Sequence, residues 1–317
     1  MRRVFWAAVL LCLLSACVKQ KEQDAALKNN TALQDKNIFS FTDDEGELIS
    51  FNKPFSRIVS LYSAHTENLF AIGAGASVIG GHSTCDYPPP AKELPVYEYT
   101  GDPEYLIAAM PDLVLVRPFI NRHNPAYIAE LKKAGLTVCS LYPETFDDFD
   151  EYIRRLGLLT GIDTESALEE FHNDLQKINK ASQNRTDRQR VFFESTGREV
   201  RTAAAGSLPY LAIETAGGIN IAHNAKPLTP LSSIAPFGME KVLSMAQDID
   251  AYIVQAGAMN PISGIDELKK RGGYGAIKAV QKNRVLLIDE KIISSPTFRY
   301  KTAVEKIYNF LYPDTND

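Results

Sequence analysis

Apolar residues gather along this chain in short runs, separated by longer stretches with helical spacing. Phe39–Thr42 and Leu48–Phe51 are two short strand candidates flanking Asp43–Asp44–Glu45–Gly46, whose composition suits a hairpin turn. Ile58–Leu61 reads as a short buried strand, Val78–Gly80 as a second and Thr137–Leu141 as a fourth. The third, Leu113–Val114–Leu115–Val116, is apolar throughout, as a parallel strand covered on both faces should be. Helical stretches lie between and after them. His65–Ile72 stops at Gly73 and Gly75, Glu104–Met110 is halted by Pro111, Ala126–Ala134 ends at Gly135, and Phe146–Leu159 follows the fourth strand. Strands alternating with helices predict parallel βα units.

Thr164–Ala181 contains neither Gly nor Pro, and Leu168, Phe171, Leu175 and Ile178 place one apolar stripe along it. A second run then opens with Arg190–Glu194, continues through Tyr252–Val254 and Val285–Ile288, and closes with a helix over Thr302–Leu311. The expected fold is therefore α/β: two lobes with central parallel-type sheets, one at 38–162 and one at 188–317, bridged by one long rigid helix at 163–187. A short echo supports related lobes. Glu104 stands eight residues before Asp112 and the strand that follows it, and Glu240 eight before Asp248.

The first residues have a different character. Met1–Arg2–Arg3 is basic, Val4–Leu14 is apolar and too short to span a bilayer, and Leu14–Ser15–Ala16–Cys17 closes the run. This resembles a bacterial lipobox, which implies a signal peptide over 1–16 and lipid attached to Cys17. Residues 17–37 are polar and read as a flexible tether. The implied location is extracytoplasmic, with the protein anchored to a membrane by lipid.

Composition excludes several classes. The 317 residues are 45% hydrophobic and 23% charged, which suits a globular core. With 34 Lys and Arg against 39 Asp and Glu, the net charge of −5 does not suit nucleic-acid binding. Cys85 and Cys139 are spaced in no pattern that demands a disulfide and are expected to remain separate thiols.

A search for catalysis finds little. The chain carries no G-x-S-x-G, H-E-x-x-H or phosphate-loop motif. Gly73–Ala74–Gly75 follows a helix and precedes a strand, the reverse of a dinucleotide loop. No enzyme activity and no resident cofactor are expected. The rival of another class is a metal-binding enzyme or chaperone using His65, His123 and His223, because His65, His82 and His123 follow predicted strands whose ends face a crevice. His172 reads as a face of the long helix.

Several segments occur in order: Arg57–Leu61, Thr66–Glu67, Ala71–Gly75, Cys85–Asp86–Tyr87–Pro88, Glu104 through Pro111–Leu115, and Ala216–Gly217–Gly218–Ile219–Asn220. Together they resemble the cobalamin and iron-complex periplasmic binding proteins, the long-helix receptors of ABC importers. The likeness spans about residues 40–311. It implies a monomeric solute-binding protein that holds a small metal–organic ligand between its lobes and delivers it to a permease dimer with its ATPase. It also implies one docking carboxylate per lobe, at Glu104 and Glu240. Gln247–Asp248–Ile249–Asp250 departs from the usual Pro-Asp of the second lobe. Expected ligand-binding residues are His65, His82, Tyr97, Tyr99, Arg117 and Phe119 from the first lobe. Arg198, Tyr210, His223 and Arg299 are those from the second. Arg117 and Arg198 suit an anionic iron(III) chelate or haem propionates. Cobalamin receptors of the family usually line the cleft with Trp, whereas the one Trp here, Trp6, lies in the signal segment. An iron(III)–siderophore ranks first, then haem and cobalamin, then a free or small-chelate metal.

Overall fold

The computed structural model describes residues 38–230 and 232–313; the signal segment, Cys17 and the tether lie outside the described residues. A hairpin of β1 (Phe39–Thr42) and β2 (Leu48–Phe51) precedes β3 (Ile58–Ser60), α1 (Ser63–Ala71), β4 (Val78–Gly81) and α2 (Pro103–Ala108). Next come β5 (Leu113–Val116), α3 (Pro118–His123), α4 (Pro125–Lys133), β6 (Thr137–Ser140) and α5 (Phe149–Thr160). The 19-residue α6 (Glu165–Gln183) leads to β7 (Arg190–Glu194), β8 (Arg201–Ala203), α7 (Leu208–Thr215), β9 (Ile219–Asn220) and β10 (Ile234–Pro236). The chain finishes with α8 (Met239–Ser244), β11 (Ala251–Ala256), α9 (Ile265–Lys270), α10 (Lys278–Gln281), β12 (Val285–Asp289), α11 (Glu290–Ile293) and α12 (Tyr300–Leu311).

Both four-stranded sheets are wholly parallel, and both follow the same order. The first runs β4-β3-β5-β6 and the second β9-β7-β11-β12. In each, the second strand in the chain pairs outside the first, and the third and fourth extend the other side. Each inner strand is buried on both faces, which is why β5 reads as an unbroken apolar run.

An aspartate fixes the register at the same place in each sheet. Asp112, just before β5, accepts from the Arg57 amide at 2.8 Å while its own amide donates to the Arg57 carbonyl at 2.9 Å. Asp250, just before β11, does the same to Arg190, at 3.0 and 2.9 Å. The equivalent of Asp112 is thus Asp250, not Asp248, whose carboxylate instead pairs with the Arg190 side chain at 2.7 Å. The eight-residue echo therefore compares non-equivalent aspartates.

The second lobe contains a pair that periodicity missed. β8 and β10 have three residues each and pair antiparallel, outside the sheet. Gly217 and Gly218 form the turn from α7 into β9. Gly217 has φ +83, and a Cβ there would come within 2.7 Å of Ser182.

One hydrophobic cluster spans elements of both lobes: Leu115 and Phe149 on the first side, Leu168 and Phe171 on α6, Ile253 and Val304 on the second. α6 packs on α12 and α7, and its Phe171 ring lies 5.1 Å from that of Phe149 on α5. Burying Leu168, Phe171 and Leu175 contributes about 1.5–3 kcal/mol each. The other face of each sheet has its own cluster.

His65 belongs to the core of the first lobe and corrects the expectation that it lines a cleft or binds metal. It is fully buried. Its Nε2 lies 3.0 Å from the Val116 carbonyl and its Nδ1 2.7 Å from the Tyr152 hydroxyl. A carbonyl only accepts, so Nε2 carries the proton and Nδ1 accepts from Tyr152; neither nitrogen is free for metal. Cys85 and Cys139 are buried free thiols.

Two outcomes follow for stability. Asp43 accepts from the amides of Glu45 and Glu47 within the hairpin turn and from Ser140 at the end of β6, at 2.9–3.0 Å. Asp43→Ala leaves three donors unmatched and should lower urea stability by about 2–4 kcal/mol; a loss under about 0.5 kcal/mol would show that the hairpin is held otherwise. Burial pushes His65 down to about 4 from 6.5. Between those values the unfolded chain binds the extra proton, so stability should fall as pH drops, by about 2 kcal/mol between pH 7 and pH 5. The dependence levels off below about pH 4. His65→Asn should flatten this slope, and an unchanged slope in that variant would exclude His65 as its source.

Candidate ligand-binding cleft

In parallel sheets the loops leaving the C-terminal strand ends form the binding crevice. Here β6 is followed by Tyr142–Pro143–Glu144–Thr145, while the Ala204–Ser207 turn, where Gly206 takes φ +80, leaves β8 of the antiparallel pair. Together with Phe146 and Phe149 on one side and Ser294, Thr297 and Tyr300 on the other, these segments enclose a cavity of about 280 Å³ between the lobes.

Beside Tyr142 lies an aromatic and cationic group. The Arg117 guanidinium stands 4.5 Å from the Tyr62 ring centroid and 4.8 Å from that of Phe119, so two π faces hold it in place. Burial pushes the Tyr62 phenol far up; Tyr142 adds to this and Arg117 opposes it. Burial also raises Tyr142, with Arg117 lowering it and Glu144 raising it. Both phenols therefore stay neutral hydrogen-bonding groups at physiological pH.

The two lobes are fastened at one edge of the cleft. Buried Glu67 on α1 meets Arg299 in a bidentate pair at 2.8 and 2.5 Å. Buried Asn68 donates to the Pro296 carbonyl at 2.8 Å and accepts from the Phe298 amide at 3.2 Å. Lys291 reaches Asp86 at 2.6 Å.

The structure distributes the expected ligand residues unevenly. Arg117 and Phe119 are half-buried next to Tyr142. His82 stacks on Tyr99 with centroids 5.4 Å apart, and its Nε2 lies 2.9 Å from Glu98. Tyr97 packs over Gly80, where a Cβ would come within 2.3 Å of its ring. His123 stacks on Phe119, and His223 is exposed on the loop after β9. Three second-lobe candidates stand outside the lining of this cavity. Arg299 is committed to Glu67 and covered by the Tyr87 ring at 3.9 Å. Tyr210 packs against the shared core while its neighbours Leu208 and Pro209 line the cavity. Arg198 lines a separate hollow of about 880 Å³ in the second lobe with Phe237, Arg271 and Tyr274. Under that hollow, buried Glu194 accepts from Tyr252, Tyr274, Asn260 and Arg271 at 2.6–2.9 Å. Among the described residues no three of His, Cys, Asp and Glu gather as a metal-ligating group, so the proposed trio of His65, His123 and His223 does not assemble.

Sequence reasoning missed Tyr142, Ser207 and Thr297. Tyr142 was within reach, because it directly follows a strand that periodicity identified. Ser207 follows β8, which is too short to show a period.

Glu104 and Glu240 occupy matching places. Each lies exposed in the first turn of a six-residue helix, α2 or α8, and each helix is anchored by a buried residue two positions on, Leu106 or Val242. Both helices lie on the connection from the second to the third strand of their sheet.

A model of the family described as periplasmic binding protein matches residues 58–292. An uncharacterized ABC transporter substrate-binding lipoprotein of Bacillus subtilis is 25% identical, over 99% of this chain and 98% of its own length. A vitamin B12-binding protein of Vibrio cholerae is 26% identical, over 82% of this chain and 91% of that protein. Among solved structures, a possible iron-binding periplasmic solute-binding protein of Staphylococcus epidermidis superposes with a TM-score of 0.70 at 23% identity, over 82% of this chain and 100% of that one, which shows a shared fold. The matched span runs from β3 to α11, through both sheets and most of the cavity wall, and the chain belongs to the periplasmic binding protein family, solute-binding proteins of transporters.

Proposed function

We propose that this protein is the lipid-anchored extracytoplasmic receptor of an ABC importer and that its cargo is a metal–organic complex, foremost an iron(III)–siderophore. The observation that carries this reading is the cavity between the two like-ordered sheets, walled by loops from both lobes. Burial between two walls gives affinity for a bulky chelate that one surface could not hold. Arg117, Tyr62 and Phe119 supply a cation and π faces beside that cavity. Cobalamin is the second reading, favoured by the vitamin B12-binding relative. Lipid on Cys17 and a tether over 17–37 would hold the lobes, 38–162 and 188–317, near the membrane. The helix within 163–187 acts as a stiff strut that restricts closure to small amplitudes.

Delivery runs through Glu104 and Glu240, which meet basic residues on the two halves of a permease. Exposed charges of this kind steer and orient more than they tighten.

Two measurements test these assignments. Titrating ferric siderophores, cobalamin and haem against intrinsic tyrosine fluorescence should give saturable quenching with at least one, and no response to any would end the receptor reading. A Glu104→Ala/Glu240→Ala double variant should lose uptake in cells while its soluble binding curve stays unchanged. Normal uptake by that variant would remove the docking assignment alone.

A further inference from the structure

The wall of the interlobe cavity includes the start of a helix that the protein leaves uncapped. α7 is eight residues long, and its first residues Leu208 and Pro209 line the cavity together with Ser207 before them. Ser207 stands where a cap belongs. Its hydroxyl instead donates to the Ala204 carbonyl at 2.7 Å and makes no capping bond to the first turn. No acidic residue lies in that turn either. The amides of Leu208 and Tyr210 have no acceptor among the described residues, and Pro209 has no amide proton. The turn before the helix continues the row: the amides of Ala205 and Gly206 are also without acceptors, and both residues line the cavity.

A different segment supplies an independent observation. Thr297 lines the same cavity, is only 1% exposed, and its hydroxyl has no hydrogen-bond partner among the described residues. Leaving a buried hydroxyl unmatched is costly, so this wall keeps a polar group that something other than the protein must satisfy. The Tyr142 and Ser233 hydroxyls line the cavity without an acceptor as well. Among the described residues no Lys, Arg or His lines it. The helix start and these neutral donors are therefore what the wall offers to an oxygen atom. Glu144, the one charged side chain of the lining, is exposed and screened by solvent.

We infer that the start of α7 and the Thr297 hydroxyl form one subsite, which binds an oxygen acceptor of the cargo, a carboxylate or a carbonyl. Free N–H groups at a helix start suit both, and the partial positive charge there favours a carboxylate further. Thr297 donates an additional bond. This rests on the cleft being the cargo site, and it adds how the second lobe grips the cargo, since both parts of the subsite belong to that lobe.

The test uses four probes: a linear iron(III) trihydroxamate whose terminal amine carries an acetyl group, the same chelate carrying a succinyl group, cobalamin and haem. Binding to the full chain in detergent is followed by tyrosine fluorescence, and the melting temperature is recorded without probe. Ser207→Asp adds the missing cap, with its carboxylate accepting from the Tyr210 amide. It should raise the melting temperature and weaken every probe that binds the unaltered protein, by about tenfold for one presenting a carboxylate and a few-fold for one presenting a carbonyl. A larger loss for the succinyl than for the acetyl form identifies the acceptor as a carboxylate, and equal losses identify it as a carbonyl. Thr297→Val removes the hydroxyl at nearly constant shape. Because that hydroxyl is unmatched in the free protein, the melting temperature should hold or rise while binding weakens by about three- to tenfold. Unchanged binding in either variant would overturn the inference and leave the receptor reading intact. A lower melting temperature in Thr297→Val would do the same, by showing that the hydroxyl is already satisfied within the protein. If none of the four probes binds the unaltered protein, the receptor reading falls and this inference with it.

Discussion

Phe149, Phe171 and Phe298 meet in a triangle with ring centroids 5.1–5.5 Å apart, and the cleft stands on that contact. The three come from α5, from α6 and from the segment leading into α12, so each side of the molecule contributes to one apolar seam. Offset and edge-on aromatic contacts contribute about 0.5–1.5 kcal/mol each beyond the area they bury. More important here, they are directional and fix where the loops above them can stand. Phe146 and Tyr300, whose rings lie 5.3 Å apart, continue the seam upward and become the floor of the cavity. Packing and the cavity wall thus share residues.

Polar contacts complete what the seam begins. Glu67 with Arg299 and Asn68 with the Pro296–Phe298 backbone span the molecule at positions where the chain separation exceeds two hundred residues. A buried ion pair is weak evidence for net stability, but loss of one partner costs about 3–5 kcal/mol because the other charge is left unmatched. Such contacts specify one arrangement of the two halves. The carboxylate of Glu194 has a similar role within the second half, where four donors converge on it and organise Tyr252, Tyr274, Asn260 and Arg271.

The elements legible in the sequence were those whose order is local. Leu113–Val116 and Leu168–Phe171–Leu175 declare themselves by period alone, and both occur as a buried strand and a long helix. Side-chain roles were much less legible, because partners distant in the chain decide them. A histidine after a strand looks like a ligand until Tyr152, 87 residues away, takes one of its nitrogens. Arg299 looks free until Glu67 claims it. The aspartate echo failed for a related reason: counting along the chain could not reveal a connection two residues longer in the second lobe, whereas the bond to Arg190 identifies Asp250 at once. The hydroxyls of the cavity were invisible to sequence reasoning, since where a hydroxyl proton points depends on the fold.

The identical strand order of the two sheets has a consequence for encounters with a partner. It makes the molecule a pseudo-dimer within a single chain, with α2 and α8 as paired outposts. On the proposed docking through Glu104 and Glu240, a partner made of two equal halves would present the same face after a half-turn. The protein would then land either way round with the same set of contacts, which doubles the productive orientations, about a twofold gain in association rate. A cargo held between the halves would rest over the axis in both cases.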